Sequence, residues 1–504
     1  MLPNRSPLFR SREPIALLRH LAEQAFSRAA GAPLVAGNSV RILKDATENY
    51  PAWLGAIHAA TRTIYFENYI IADDEVGREF VAGLADKARS GVRVRVIYDW
   101  MGALANGSRR LLQPIVGAGG EVRCFNSPRY DSPFGWLSRD HRKMLVVDGR
   151  IGFVSGLCVS RRWTSDPARG LPPWRDTGVE VRGPAIADIE QAFAEMWAMA
   201  GSPIPDEELT DADMISAAGD VTLRVLATEP NIAGLYRLDQ LIAAMAREKL
   251  WLTDAYFVGV APYVQALRAA SLDNVDVRLL VPGASDLPLI SPLSRAGYRP
   301  LLEAGIRVFE WNGPMLHAKT AVADCRWARV GSSNLNVASW MSNYELDIAV
   351  EDQRLAGDMQ QMFEDDLAHA TEIILAPRNR VRTAVPAQRP RRRPRGGSAS
   401  RAAAGALRIG NTVSAAITNR RVLGPAEAGM MAGVGLGLLG CVAIIIAWPL
   451  AIALPLGVLG VWVAVSFLIG AIKLRAEGRK IAPDGPREPV QQAKDPDRES
   501  TEKK

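Results

Sequence analysis

His141-Arg-Lys-Met-Leu-Val-Val-Asp148-Gly149 and His317-Ala-Lys-Thr-Ala-Val-Ala-Asp324 are two versions of one pattern: His, one residue, Lys, four residues, Asp. The histidines are 317 − 141 = 176 residues apart. Each copy runs on into a stretch of small residues. The first is Gly152-Phe-Val-Ser-Gly156-Leu-Cys158-Val-Ser160 and the second is Gly331-Ser-Ser-Asn334-Leu-Asn336. The run between Lys and Asp is apolar and short, as in a strand buried on both faces. On such a strand, side chains two positions apart share a face. Each copy therefore sets an imidazole beside an ammonium.

Outward from the motif, the same order of elements occurs twice. Thr63–Ile70 reads as a strand, Asp73–Ser90 as an amphipathic helix ending near Gly91, and Val92–Tyr98 as a strand. Later, Leu250–Phe257 is a strand, Ala261–Ala270 a helix and Val275–Val281 a strand. A third strand precedes each motif, Glu121–Phe125 and Ile306–Trp311. The chain is thus an internal duplication of an α/β unit, and alternating strands and helices predict mainly parallel pairing. A helix over Pro14–Ala30 precedes the first copy.

A lone His-x-Lys could be an accidental surface pair. The chain has only five histidines (His20, His58, His141, His317 and His369), and two occupy equivalent places in the repeat. Two facing His/Lys pairs supply a nucleophile, positive charge for equatorial oxygens and a proton for a leaving alcohol. Those are the needs of a phosphodiester, and they are met without a metal.

Composition bounds the rest. The 504 residues, 48% hydrophobic and 23% charged, imply several compact units. Cys124, Cys158, Cys325 and Cys441 lie far apart and form no CxxC pair, which argues against a disulfide scaffold or zinc site and for a reducing compartment. The net charge of +6 is concentrated between Arg378 and Arg421, including Arg389-Pro-Arg-Arg-Arg-Pro-Arg395. Such a run seeks an anionic surface. Met1-Leu-Pro-Asn-Arg-Ser6 has no apolar run behind a basic start, so no cleavable signal peptide is expected. Ala426–Trp448 and Ala451–Ala471 are each long and apolar enough for a membrane-spanning helix. Arg420 and Arg421 precede the pair, and Lys473, Arg475, Arg479 and Lys480 follow it. The positive-inside rule then puts both ends in the cytoplasm. A single bent apolar segment remains the other reading.

The paired motifs resemble the phospholipase D superfamily and its HxKxxxxD signature, over roughly Asn38 to Ala376. The likeness is greatest to bacterial cardiolipin synthases, especially the short form without N-terminal membrane helices. Supporting segments are Tyr65-Phe-Glu-Asn-Tyr69, Asp73-Asp-Glu-Val-Gly77, Asp254-Ala-Tyr-Phe257 and Val281-Pro-Gly-Ala-Ser-Asp286. The resemblance implies an α/β fold of two tandem phospholipase D-like α/β/α sandwich repeats, here with a C-terminal transmembrane hairpin. The expected units are an N-terminal helical segment (1–37), the repeats (38–205 and 206–376), a basic flexible linker (377–425), the hairpin (426–472) and a polar disordered tail (473–504).

By the same resemblance the reaction is ping-pong through phosphohistidine, with His141 as nucleophile and His317 as general acid, then base. Lys143, Lys319 and Asn334 would hold phosphate oxygens. In the family a carboxylate beyond each motif orients the histidine of the other copy. The matching residues are Asp176, in Trp174-Arg-Asp-Thr177, and Glu345, in Asn343-Tyr-Glu345, which predicts His141 with Glu345 and His317 with Asp176. Asp148 and Asp324 belong to the motif and count as site residues, with a backbone-organising part expected for both. The chain departs from the family at Cys158, where Asn is usual. A thiol is a poor substitute for an amide donor.

No cofactor and no metal are expected. The expected partners are phospholipid substrates, phosphatidylglycerol first and phosphatidylethanolamine second, and an anionic membrane surface. Pro133-Phe-Gly-Trp-Leu137 is a candidate for touching acyl chains. Nucleic acid is disfavoured by the membrane hairpin, although the arginine run would suit it. An oligomer is not required, because the duplication supplies both half-sites. The expected location is the cytoplasmic side of a bacterial inner membrane. Transfer making cardiolipin, hydrolysis to phosphatidic acid, a nuclease and a weakened-site scaffold all share these motifs. Nothing in the residues separates transfer from hydrolysis, which depends on exclusion of water.

Overall fold

The computed structural model describes residues 24–375, apart from 105, 129–137, 166–171, 231 and 288–289, together with 420–423 and scattered positions between 436 and 469. The site lies in a compact unit formed by Met1–Ser127 and Trp136–Gly440. A second unit, Pro128–Gly135 with Cys441–Lys504, contributes Pro128 and scattered helical positions to the described residues. Pro133–Leu137 and most of the expected hairpin lie outside the described residues. Among the described residues no helix is long and apolar enough to cross a membrane.

The strands of the first repeat are β1 (Val35–Lys44), β2 (Thr63–Asn68), β3 (Arg93–Asp99), β4 (Glu121–Phe125), β5 (Lys143–Val147), β6 (Ile151–Ser155) and β7 (Thr177–Arg182). Those of the second are β8 (Val221–Thr228), β9 (Lys249–Thr253), β10 (Asp276–Pro282), β11 (Arg307–Trp311), β12 (Thr320–Ala323), β13 (Trp327–Gly331), β14 (Glu345–Glu351) and β15 (Ala370–Leu375). β16 (Arg420–Leu423), within the stretch read as linker, pairs parallel with β15. All join in one 16-stranded sheet, ordered β16-β15-β11-β10-β9-β12-β13-β14-β8-β1-β7-β6-β5-β2-β3-β4. The order mirrors about the β8–β1 junction, where the repeats pair antiparallel edge to edge.

The expectation of mainly parallel pairing needs correction. β2, β3 and β4 pair parallel, as do β9, β10 and β11, because helices connect them. The motif strands do not follow that rule. β5 and β6 form an antiparallel hairpin, as do β12 and β13, and β6–β7 and β13–β14 are antiparallel too. For the two hairpins the reason is local. The turn after each motif strand is only a few residues long, and parallel neighbours need a crossover of a dozen or more.

Side-chain parity sorts the core into three layers. Leu145 and Val147 of β5 join Ile64 and Phe66 in one cluster, covered by the helices Asp45–Ala59 and Glu75–Arg89. Met144 and Val146 point the other way, into a cluster shared by both repeats and containing residues of the helices Ile186–Met199 and Gln353–Leu367. The second repeat has its own outer cluster, with Ala321 and Ala323 of β12 and the helices Gly234–Met245 and Ala261–Leu272. Both faces of the motif strands are therefore buried, which is why their sequences are continuous apolar runs.

Asp148 and Asp324 end the motif strands in the left-handed region, with φ of 56° and 49°. Asp148 accepts the backbone N–H groups of Thr61 (2.9 Å), Arg62 (2.7 Å) and Thr63 (2.9 Å), and the Thr61 hydroxyl (2.8 Å). Asp324 accepts those of Arg247 (2.9 Å), Glu248 (2.8 Å) and Lys249 (2.9 Å). Each carboxylate thus anchors the entry of the neighbouring strand. Five residues of strand put it about 16 Å from its motif lysine. At that distance each carboxylate serves the strand–turn backbone, the part expected of it as a site residue. Asp148→Ala is expected to cost ~2 kcal/mol of stability, as for a lost multi-amide cap, while leaving kcat within about twofold of wild type. Thermal denaturation beside a turnover assay checks both halves of that statement.

Candidate active site

The histidines stand just before β5 and β12, where two short cross-connections tie the repeats together. Asp140 pairs with Tyr344 and Arg175 with Leu316 as isolated bridges. The His141 N–H donates to the Tyr344 carbonyl (2.9 Å) and the His317 N–H to the Arg175 carbonyl (2.7 Å). In both, the residue before a carboxylate of one repeat binds the histidine backbone of the other. The carboxylate is then delivered to the imidazole by the chain itself.

His141 Nδ1 lies 2.8 Å from Glu345 Oε2, and His317 Nδ1 lies 2.8 Å from Asp176 Oδ2. Each contact joins residues of different repeats. With Nδ1–H donating to a carboxylate, Nε2 is left as the basic nitrogen, which fixes the tautomer needed by a nucleophile or base. Glu345 is completed by the Ser332 hydroxyl (2.6 Å) on Oε2 and by Asn343 Nδ2 (3.1 Å) on Oε1. Asp176 is completed by Trp163 Nε1–H (2.8 Å) on Oδ2 and by the Thr177 N–H (2.8 Å) on Oδ1. Both carboxylates are fully buried.

Lys143 and Lys319 are also buried. Each donates to the carbonyl of its own motif histidine. The Lys319 ammonium lies 2.9 Å from His317 Nδ1 and 3.2 Å from Nε2. Tyr69 lies edge-on to His141 at 5.1 Å and carries Lys143 over its ring at 5.2 Å. Tyr256 repeats this with His317 at 5.7 Å and Lys319 at 5.8 Å.

The electrostatics follow from burying two lysines, two histidines and two carboxylates together. Burial first, then Lys319, hold His317 down at about 4 despite Asp176. Burial also lowers His141, opposed by Glu345 and helped by Lys143. Burial brings Lys319 down to about 8. Burial acts to raise Asp176, but His317, Lys319 and the Trp163 hydrogen bond outweigh it and hold it at about 2. Glu345 is lowered too, its burial outweighed by His141, Lys143 and Ser332. The arrangement is two imidazoles held low, each between a buried lysine and a buried carboxylate.

Asn334 is buried in the second repeat, its side-chain oxygen without a hydrogen-bond partner. Its loop is held by Asp254, which accepts the Leu335 N–H (2.6 Å) and the Tyr256 N–H (2.9 Å). Burial pushes Asp254 up to about 7. Cys158 holds the corresponding place in the first repeat, buried, with its carbonyl bound by the Tyr50 hydroxyl (2.6 Å).

Beside these stand residues that sequence reasoning passed over. Trp163 had no signal. Ser332 and Asn343 were visible only as neighbours of motif residues. Arg175 is buried between Asp366 (2.9 and 3.0 Å) and Asp45 (3.2 Å), and Asp45 also accepts the Asp176 N–H (2.8 Å). This buried ion cluster locks the bridge that delivers Asp176. Gly156 is a further case, because a Cβ there would lie 2.2 Å from Asp176 Oδ1. Gly156→Ala is expected to displace the carboxylate and cut kcat by on the order of 10- to 100-fold, as loss of an outer partner of a working histidine does. Wild-type kcat in a folded Gly156→Ala protein would contradict this.

Among the described residues no group of His, Cys, Asp and Glu is arranged to hold a metal ion. Two pairs of imidazole and ammonium, each imidazole oriented by a buried carboxylate, make a phosphodiester-transfer site of the phospholipase D class. A family model described as "Cardiolipin synthase, PLD-like domain" matches residues 54–197 and 239–367, one match in each repeat. The chain belongs to that family of the phospholipase D superfamily. It is 34% identical over 351 residues to Cardiolipin synthase A of Pseudomonas fluorescens (strain SBW25), covering 68% of this chain and 71% of that protein. It is 31% identical over 369 residues to Cardiolipin synthase 1 of Bacillus anthracis, covering 70% and 71%. Among solved structures, phosphatidylserine synthase of Haemophilus influenzae Rd KW20 superposes with a TM-score of 0.54 at 15% identity, over 69% of this chain and 91% of that one. That last likeness is one of fold.

Proposed function

We propose that the chain is a phosphatidyl transferase that makes cardiolipin from two molecules of phosphatidylglycerol. The observation that carries the reading is the pair of histidine–carboxylate contacts that cross between the repeats, His141 with Glu345 and His317 with Asp176, each 2.8 Å. The relatives named cardiolipin synthase supply the substrate class.

The His141 Nε2 lone pair attacks the phosphorus of one phosphatidylglycerol. The bond from phosphorus to the glycerol headgroup oxygen breaks, and His317 gives that oxygen its proton. Free glycerol leaves and phosphatidyl-His141 remains. A second phosphatidylglycerol then presents its terminal hydroxyl. His317 takes the hydroxyl proton, the oxygen attacks phosphorus, and His141 departs as neutral imidazole with cardiolipin complete. Lys143, Lys319 and Asn334 hold the non-bridging oxygens. Before substrate binds, His317 is neutral, held low by burial and Lys319. The phosphodiester's negative charge offsets the lysines and restores the basicity that His317 needs as acid. Glu345 and Asp176 position the rings and stabilise each imidazolium.

The catalytic unit works at the cytoplasmic face of a bacterial membrane, held there by the apolar runs within 426–472 and the basic stretch before them. Sealed inverted vesicles treated with protease should lose it; protection would place it on the other side.

Labelled phosphatidylglycerol in detergent micelles tests the reaction. Cardiolipin and glycerol are expected in equal amounts. Glycerol with phosphatidic acid and no cardiolipin would make the protein a hydrolase.

A further inference from the structure

The two halves orient their carboxylates by different means. Gly156 and Ser332 occupy equivalent places: Ser155 pairs with Gly178 and Gly331 with Asp347, and the next residue in each half donates its N–H across to β7 or β14. In the second repeat Ser332 places its hydroxyl 2.6 Å from Glu345 Oε2, the oxygen that meets His141. In the first repeat the equivalent residue has no side chain, and none fits there, because a Cβ would lie 2.2 Å from Asp176 Oδ1. Yet Asp176 Oδ2, the oxygen that meets His317, is not left with one donor. Trp163 reaches it from the long β6–β7 connection, with its indole N–H at 2.8 Å.

Trp163 is fixed for this task. It is buried and held in a single turn of 3-10 helix, Arg161–Trp163, whose N-cap residue Ser160 donates to Asp74 (2.9 Å). The Asp74 carboxylate also accepts the Arg161 N–H (2.8 Å). The Trp163 ring stands edge-on to His317, centroids 5.2 Å apart at 89°, and packs on Trp174 at 4.7 Å. Trp174 itself lies 5.9 Å from His317 but makes only a ring contact. One side chain therefore touches both members of the His317–Asp176 pair, through an N–H on the carboxylate and a ring edge on the imidazole.

We propose that Trp163 is a positioning residue for the general acid–base: it holds the Asp176 carboxylate in the rotamer that meets His317 Nδ1, standing in for the hydroxyl that Ser332 supplies in the other half. The inference rests on the assignment of His317 as acid and base. Without the indole N–H, the Asp176 carboxylate keeps, besides His317 itself, the Thr177 N–H on its other oxygen. The carboxylate is then free to turn, and His317 loses its partner for part of the time. Ground-state binding of substrate, which depends on the lysines, is untouched.

The test is Trp163→Phe, which keeps an aromatic edge and removes the donor, with Trp174→Phe as a ring-only control. Substrates are phosphatidylglycerol and phosphatidyl-p-nitrophenol, whose leaving group departs without a proton. For Trp163→Phe we expect kcat on phosphatidylglycerol to fall on the order of tenfold. We expect KM to stay unchanged, and the first-turnover burst of p-nitrophenol to stay within about twofold of wild type, because a general acid matters little to a good leaving group. Trp174→Phe should not show this selectivity. Wild-type kcat in Trp163→Phe overturns the proposal, and so does an equal loss on both substrates, which would be structural damage. If Trp163→Phe does not fold, Trp163→Tyr is read by the same two rates. His141→Ala and His317→Ala separate the two levels. If either keeps full turnover, the reading of the site fails. If both lose turnover while Trp163→Phe matches wild type, only the role of Trp163 fails.

Discussion

His141→Ala is expected to lower turnover of phosphatidylglycerol by at least about 10⁴-fold, as loss of the nucleophile does in other enzymes with a covalent intermediate. That is a loss of roughly 5.5 kcal/mol of transition-state stabilisation. The size follows from the geometry. His141 Nδ1 is committed to Glu345, so Nε2 is its one available nitrogen. The Lys143 ammonium is bound to the His141 carbonyl and has no lone pair to offer while protonated. His317 keeps its own carboxylate and cannot attack and protonate the leaving group at once. The variant should still fold, because the His141 backbone N–H, not its ring, makes the bridge to Tyr344. Two measurements check this: release of glycerol, and trapping of a labelled phosphatidyl-enzyme after a denaturing quench at neutral pH. The wild type should give an acid-labile phosphoramidate and His141→Ala none. Full turnover in the variant would remove phosphohistidine from the mechanism.

Much of this site was legible because short-range patterns encode it. The motif strand announces itself by a continuous apolar run between Lys and Asp, and both faces of β5 and β12 are indeed buried. The duplication was legible from the spacing of the two histidines. The sheet was legible only in part. Strand–helix–strand rhythm correctly implies that β2, β3 and β4 run parallel, but it carries no information on how a hairpin partner inserts beside β2. The edge-to-edge junction of β1 and β8 was likewise invisible, since two strands separated by a whole repeat recognise each other through tertiary packing. Asp148 shows the same limit within the site. Its spacing is part of the motif, but its partners, Thr61 to Thr63, are at least 85 residues away in sequence. Trp163 is the extreme case. It stands 13 residues before Asp176, in a loop with no periodicity, and only the folded chain reveals that its N–H replaces a hydroxyl of the other repeat.

The crossed carboxylates lead to the second large effect, which distinguishes the two histidines. Glu345→Gln and Asp176→Asn each exchange an acceptor for an amide of the same shape. Each should cost about 10³- to 10⁴-fold on phosphatidylglycerol, because the amide allows the wrong tautomer and no longer stabilises an imidazolium. Their behaviour with phosphatidyl-p-nitrophenol should differ. Glu345 serves His141, the attacking group, and no leaving group compensates for a misdirected nucleophile. The p-nitrophenol burst should therefore collapse in Glu345→Gln nearly as far as glycerol release does. Asp176 serves His317, whose first act is to protonate the leaving oxygen. With p-nitrophenolate that act is dispensable, so Asp176→Asn should keep much of its burst and lose the slow second phase, in which His317 must act as base. The variants therefore test the crossing itself. Glu345 lies in the second repeat and the nucleophile in the first. If Asp176→Asn, in the nucleophile's own repeat, were the variant that lost its burst, either the crossed pairing or the roles of the two histidines would have to be exchanged. The 2.8 Å contacts decide between those outcomes: they bind each imidazole to the opposite repeat, so a reversed result would move the nucleophile to His317 and leave the pairs intact.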